Sequence, residues 1–138
     1  MTITYSWRGD FDNAEVEQLH ADGFDREPSD HDWWAQVTGH SLGWVNARDG
    51  ERLVGWVNVA WDGSGHAFVL DTVVAVDARR SGVGTGLVAE AARQAGAAGC
   101  EWLHVDFEAH LRGFYFEACD FRPTDAGLIA LPAIAPGS

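Results

Sequence analysis

The chain has 138 residues, 46% of them hydrophobic, with seven Trp and seven Phe, the size and content of one domain with its own packed core. The formal net charge is −12 and all nine basic residues are Arg, which argues against nucleic acid or an anionic membrane as a partner, since phosphate contacts need clustered cations. No apolar run approaches a membrane span, and the opening residues MTITYSWRGDFDN carry neither the basic nor the apolar segment of a secretion signal, so a cytoplasmic location is expected.

The acidic field would attract a cationic amine, and it would equally serve solubility alone. Cys100 and Cys119 stand apart in the sequence and read as two reduced, partly buried thiols. The six His are scattered with no metal-ligand spacing, so no metal is expected.

In chain order, Ile3 to Trp7 alternates apolar and polar residues and predicts a first strand. Asp12 or Asn13 can cap a helix through Ala14, Val16 and Leu19 that ends near Gly23. A polar segment, Asp25 to Asp32, is a loop, and Asp30 or Asp32 can cap a second short helix carrying Trp33, Trp34 and Val37. The two helices are expected over one end of a sheet. A meander follows: Ser41 to Ala47, an Asp49-Gly50 hairpin signal, Arg52 to Trp61 with Gly55 as a bulge or close approach, a turn over Asp62 to Gly65, and His66 to Val76.

A long helix is predicted from Val83, with Leu87, Ala91 and Ala95 at helical spacing, Val88 and Ala92 widening the face, and Gly99 as a left-handed stop. Glu101 to Phe107 is the next strand, parallel to the strand before the helix because a helical crossover joins parallel neighbours. A last helix is predicted over His110 to Ala118 and a terminal strand over Gly127 to Leu131, with the tail PAIAPGS frayed. The order β-α-α-β-β-β-α-β-α-β is that of an α/β mixed sheet with helices on both faces, one domain over residues 1–138.

The stretch from Asp71 to Gly99 organises the rest. A β-branched strand (Thr72, Val73, Val74, Val76) runs into Arg79-Arg80-Ser81-Gly82-Val83-Gly84-Thr85-Gly86 and then the long helix. The first turn of a helix has N–H groups with no internal partner, and the helix dipole adds positive character there. Glycines let a ligand approach that backbone, so the junction favours a phosphate or pyrophosphate, with Arg79 and Arg80 as forked donors. A P-loop is excluded by the absence of lysine, and the glycine spacing departs from the dinucleotide fingerprint, whose third glycine falls one position later. The spacing Arg79-x-x-Gly82-x-Gly84 is instead the pattern Gln/Arg-x-x-Gly-x-Gly/Ala.

With that motif, and with an element order that fits over nearly its whole length, the chain resembles the GNAT superfamily of acetyl-CoA-dependent N-acetyltransferases. The resemblance implies acetyl-CoA as co-substrate. The main chain of Thr72, Val73 and Val74 would meet the pantetheine arm, and Arg80, Ser81, Gly82, Val83, Gly84 and Thr85 would cradle the pyrophosphate, with Arg79 at the Gln/Arg position. Members often carry a Tyr five residues before the Phe of a Gly-Phe pair, which can protonate the departing thiolate. In GFYFEACDF, counting back five from Phe121 reaches Phe116, and Asp120 replaces the Gly; Tyr115, one position earlier, is about 100° around a regular helix. Tyr115 is the candidate general acid. An Asn often found near the start of that helix is also missing, with Glu108 and Ala109 in its place.

Transfer to an amine requires removal of a proton from the ammonium, directly or through water. Asp71, His104, Asp106 and Glu108 are the groups at the open ends of the two central strands, and Asp106 and Glu108 are the favoured bases. His31, Trp33 and Trp34 fall where family members often build the acceptor pocket, and aromatic faces could hold a cation there; a Trp pair that merely anchors the short helix is the competing reading. A relay through Cys119 has little to motivate it. The expected activity is direct acetyl transfer from acetyl-CoA to a small or peptide amine. Dimers are common among relatives, so a homodimer is an open option. The competing readings are a non-catalytic acyl-CoA-binding module of the same fold, which the missing Asn and shifted Tyr favour, and a domain that does not bind CoA.

Overall fold

The computed structural model of the chain describes residues 2–133. Its frame is one five-stranded sheet in the order β1-β2-β3-β4-β5, with β1 at Ile3–Trp7, β2 at Ser41–Asp49, β3 at Arg52–Trp61, β4 at His66–Val74 and β5 at Trp102–Val105. The first four strands run antiparallel to their neighbours, and β4 and β5 are parallel. Two helices, α1 (Asn13–Gly23) and α2 (Trp33–His40), lie against one face, and α3 (Val83–Ala97) covers the other. The mixed sheet with helices on both faces is the expected architecture.

Local chemistry explains the elements. The Asp12 amide donates to the Glu15 carboxylate at 3.5 Å at the start of α1, and Asp32 accepts from the Ala35 amide at 3.0 Å at the start of α2. On α3, Val83, Leu87, Ala91 and Ala95 are buried as their spacing requires. They pack on Val45, Val57, Val59, Ala67 and Val69 in the core. Gly55 serves the close approach: a Cβ there would sit 2.9 Å from Val83 and 3.0 Å from Leu87. A bulge also falls beside it, where Ala47 pairs with Gly55 but Arg48 pairs with Leu53.

Four predicted elements differ. Strand β4 ends at Val74 rather than Val76, because Val76–Ala78 forms a 3-10 turn. Strand β5 is shorter than Glu101–Phe107, since its pairing with β4 stops at Val69 and Val105. The last helix is replaced by a 3-10 turn at Ala109–Leu111 and a π turn at Gly113–Ala118. The terminal strand over Gly127 to Leu131 does not form: the segment joins no ladder, and Leu128, Ile129 and Leu131 are 83%, 83% and 85% exposed. Of the tail, residues 134–138 lie outside the described residues.

The α1–α2 connection is fixed by one buried carboxylate. Glu17 accepts from Arg26 Nη1 at 2.5 Å, Arg26 Nη2 at 3.2 Å, the Ser29 amide at 2.6 Å and Trp33 Nε1 at 3.1 Å. The Arg26 guanidinium, with the Ser29 and Trp33 donors, holds the Glu17 carboxyl far below the usual carboxylate range despite burial. A carboxyl depressed on folding stabilises the native state above its unfolded pKa, about 4.3, and loses that contribution as pH falls below it. Glu17→Gln is therefore expected to lower stability at pH 7 by about 1–3 kcal/mol, a figure that allows for solvent screening of Arg26. The variant should also lose less stability than the wild type on acidification below about pH 4; urea melts at pH 7 and pH 3.5 check both.

Candidate active site

The site begins with an extra residue in β4. Trp56 pairs with Val73 and Asn58 with Leu70, so Asp71 and Thr72 of β4 oppose Val57 alone on β3. Asp71 takes a left-handed φ of 58°, the conformation of the first residue of a bulge and one that Asp tolerates better than most. Two contacts hold it. The His20 ring lies between two carbonyl acceptors, Val16 O on α1 and Asp71 O on β4, each 2.9 Å from a ring nitrogen. Asn58 Nδ2 donates to the Asp71 carboxylate at 3.1 Å, and Ser41 Oγ donates to Asn58 Oδ1 at 2.6 Å. The ladder between β4 and β5 ends two residues before the bulge. Beyond it β4 runs on to Val74 with no β5 partner, and this unpaired stretch is the opening between the two strands.

Thr72 is the second residue of the bulge, and Val73 and Val74 lie past it. Their inner edge pairs with β3 through Val73–Trp56 and Val74–Gly55, and the other edge faces the opening. Val73 is buried in the core, while Thr72 Oγ1 is buried with no hydrogen-bond partner among the described residues. The chain then makes a 3-10 turn at Val76–Ala78 and enters α3 through Arg80 and Gly82, both left-handed with φ of 65° and 84°. Among the described residues, no backbone carbonyl accepts from the amides of Arg80, Ser81, Gly82, Val83, Gly84 or Thr85; the first helical bond is Gly86 N to Gly82 O at 3.0 Å. Six free donors, a helix N-terminus and an orphaned hydroxyl fit a diphosphate and its attached arm. Arg79 folds back, with Nε 3.4 Å from Val74 O, and Ser81 Oγ donates to Ala78 O, so the donors left toward solvent are the amides and Arg80.

Beside Thr72 stands Tyr115, 6% exposed, while its neighbour Phe114 lies against Gly84 of the loop. Its ring stacks on Phe107 at 4.6 Å and meets Phe114 and Phe121 edge-on. The π turn resolves the one-residue offset seen in the sequence. The Cys119 amide donates to Phe114 O, five residues back, and the Phe121 amide to Tyr115 O, six residues back, both at 2.9 Å. A wide turn takes up one more residue than an α-helical turn. Tyr115, six before Phe121, is thereby the buried residue, and Phe116 is only half-buried. Burial pushes the Tyr115 phenol above its ordinary pKa, with the Thr72 hydroxyl pulling weakly the other way. No hydrogen bond closes between the two, which leaves Thr72 Oγ1 unpaired.

The remaining candidates are distributed around this centre. Asp106 and Glu108 are exposed on the rim beyond β5, and Glu108 lies 3.5 Å from His110. His104 is exposed, stacked on Phe68 at 4.7 Å, with Nε2 2.7 Å from His66 Nδ1. Trp33 is buried, stacked on His20 at 4.5 Å and bonded to Glu17, so it anchors α2. Trp34 keeps 37% of its surface exposed beside Phe11 and Trp44, and His31 is exposed and bonded to Gln36 at 2.6 Å. Sequence reasoning passed over His20, Asn58 and Ser41. The available signal was Asn58 itself, a polar residue inside an apolar strand, which has to find a partner when buried.

A parallel strand pair opened by a bulge, with a free-amide helix start at the opening, is the frame of an acyl-CoA-dependent acyltransferase. The chain belongs to the acetyltransferase (GNAT) family, whose sequence profile matches residues 5–121. Solved structures share the fold. A GNAT-family acetyltransferase from Streptococcus pneumoniae aligns at TM-score 0.76 and 23% identity over 95% of this chain and 98% of that one. An acetyltransferase from Trypanosoma brucei aligns at 0.74 and 15% over 94% and 100%. Glucosamine-6-phosphate N-acetyltransferase from Arabidopsis thaliana aligns at 0.73 and 13% over 93% and 98%. No curated protein sequence matches the chain.

Burial pushes the Cys119 thiol up to about 11. At pH 8 only roughly one molecule in a thousand carries the thiolate, which is the nucleophile. Iodoacetamide is expected to leave Cys119 largely unmodified at pH 7–8, with the rate still climbing at pH 10. Labelling at pH 7 as fast as a free thiol peptide would contradict the burial of this side chain; peptide mass spectrometry reads the result.

Proposed function

We propose that the protein transfers an acetyl group from acetyl-CoA to an amine by direct attack of the amine on the thioester. The observation that carries this reading is the set of six unbonded amides from Arg80 to Thr85 at the mouth of the β4–β5 opening. They suit the pyrophosphate, while the free edge of Thr72, Val73 and Val74 suits the amide groups of the pantetheine arm, as an added strand would. Placing amine and thioester together supplies most of the acceleration.

Two side chains complete the chemistry. Tyr115 donates the proton to the departing thiolate; its phenol stays protonated at neutral pH because burial disfavours the phenolate. Asp71 accepts the proton from the amine, directly or through water. It is the carboxylate that the fold holds at the bulge, with Asn58 fixing one oxygen. Asp106 and Glu108, out on the rim, draw a cationic acceptor toward the opening and are the alternative bases. The exposed face of Trp34, edge-on to Phe11 and Trp44, is suited to the acceptor's cation.

Two measurements test the reading. Acetyl-CoA should raise the melting temperature, and thiol release should appear with some members of an amine panel. Binding without turnover on any amine would favour the non-catalytic module, and no thermal shift with CoA would remove the assignment. Gly82→Val, which puts a β-branched residue at φ 84°, should weaken CoA binding by about tenfold or more.

Tyr115→Phe should lower kcat by about tenfold or more with little change in CoA affinity; a loss under about threefold would remove the acid role. Asp71→Asn is a clean test of the base. Asn tolerates a left-handed φ and can still accept from Asn58, so the bulge persists while basicity is lost. We expect kcat to fall by about tenfold or more with the melting temperature nearly unchanged.

A further inference from the structure

Among the described residues, three buried side-chain groups have no hydrogen-bond partner: Asn46 Oδ1, Trp56 Nε1 and Thr72 Oγ1. Asn46 and Trp56 are buried inside the sheet on β2 and β3. Thr72 is placed differently, on the stretch of β4 that has no β5 partner. An orphaned hydroxyl costs stability, and valine would fill the same space without that cost. Such a group is available to an oxygen that gains charge when the site is filled.

The direction of this hydroxyl follows from its neighbours. Val73 turns toward α1, where its Cγ2 lies 3.0 Å from the place of a Cβ on Gly23. Val74 turns to the other face, its Cγ2 3.7 Å from the place of a Cβ on Gly84. Alternation puts Thr72 on the Val74 face. The Phe114 ring is on that face too, 3.0 Å from the same Gly84 position, and Tyr115 packs edge-on to it with ring centroids 4.8 Å apart. The Thr72 hydroxyl and the Tyr115 phenol therefore share one side of the strand, near enough for the first to act on the second. Among the described residues no charged side chain acts on that phenol; the other polar group that does is the Cys119 thiol.

In the transfer, the amine nitrogen bonds the acetyl carbon, the carbon–sulfur bond breaks, and the sulfur takes the Tyr115 proton. The proton of the amine goes to Asp71, and Tyr115 is reprotonated from solvent. In between, the phenol oxygen carries negative charge where burial disfavours it. One O–H aimed at that oxygen offsets the penalty. Bonds of this kind are often long before substrate binds and tighten in the complex.

We propose that Thr72 is a positioning residue: its hydroxyl donates to the Tyr115 oxygen as that oxygen gives its proton to sulfur. The role rests on Tyr115 being the acid.

The test is a double-mutant cycle on the full chain. Thr72→Val should lower kcat by about tenfold, with the KM for acetyl-CoA within about twofold and the melting temperature unchanged or higher, because no bond is lost in the resting fold. Thr72→Ser should keep kcat within about threefold of the wild type. On a Tyr115→Phe background, Thr72→Val should change kcat by less than about twofold, since the phenol it serves is gone. A second readout needs no turnover. The chain has two tyrosines, Tyr5 and Tyr115, so NMR of tyrosine labelled at Cζ gives one signal for each. Thr72→Val should move the Tyr115 titration to higher pH, because the phenolate loses a donor, and leave that of Tyr5 in place. An unmoved Tyr115 signal overturns the proposal. So does a Thr72→Val loss of equal size in both backgrounds, or one confined to KM, either of which gives the hydroxyl to the pantetheine arm. Tyr115→Phe alone reads the acid role: if it lowers kcat and Thr72→Val does not, the acid stands and the role of Thr72 falls.

Discussion

Everything at the site depends on one residue too many in β4. Asp71 and Thr72 face a single residue of β3, so β4 cannot stay parallel to β5 past Val69. A bulge of this kind costs local strain, since a non-glycine residue is held at φ 58°. The surroundings over-determine it. His20 reaches across from α1 to the Asp71 carbonyl, and Asn58 reaches across from β3 to its carboxylate. The two contacts come from different layers, which is why the bend is fixed in position and the opening has a defined mouth.

The α1–α2 layer earns its order from the same economy of polar groups. Glu17 gathers a guanidinium, a backbone amide and an indole N–H around one buried carboxylate. Trp33 is thereby pinned, and Trp33 in turn stacks on His20. A chain of contacts runs from the loop between the helices to the carbonyl at the bulge. Trp34, one residue along, is left with a free face because the helix turns it outward by about 100°.

The Tyr115 region shows a sequence irregularity answered by a backbone one. Spacing alone puts Phe116 at the inward position. The π turn at Gly113–Ala118 adds a residue to the circuit and brings Tyr115 inward instead. The cost of the poorer π geometry is met by four aromatic rings packed around one another: Phe107, Phe114, Tyr115 and Phe121.

The sequence by itself determined the elements up to α3, the parallel partnership of β4 and β5, and the glycine-rich start of α3. These follow from local rules: period-2 and helical spacing, caps at Asp12 and Asp32, and glycines at a helix start. It also determined that Gly127–Leu131 has the character of a strand. Only the tertiary structure decided where β4 bends, which carboxylate sits at the bend, that Tyr115 and not Phe116 turns inward, and that Gly127–Leu131 finds no edge within its own chain. The bend and the carboxylate at it are settled by contacts between residues far apart in sequence, such as His20 with Asp71, of which a local pattern carries no record, while Tyr115 is turned inward by a π turn that residue spacing does not announce.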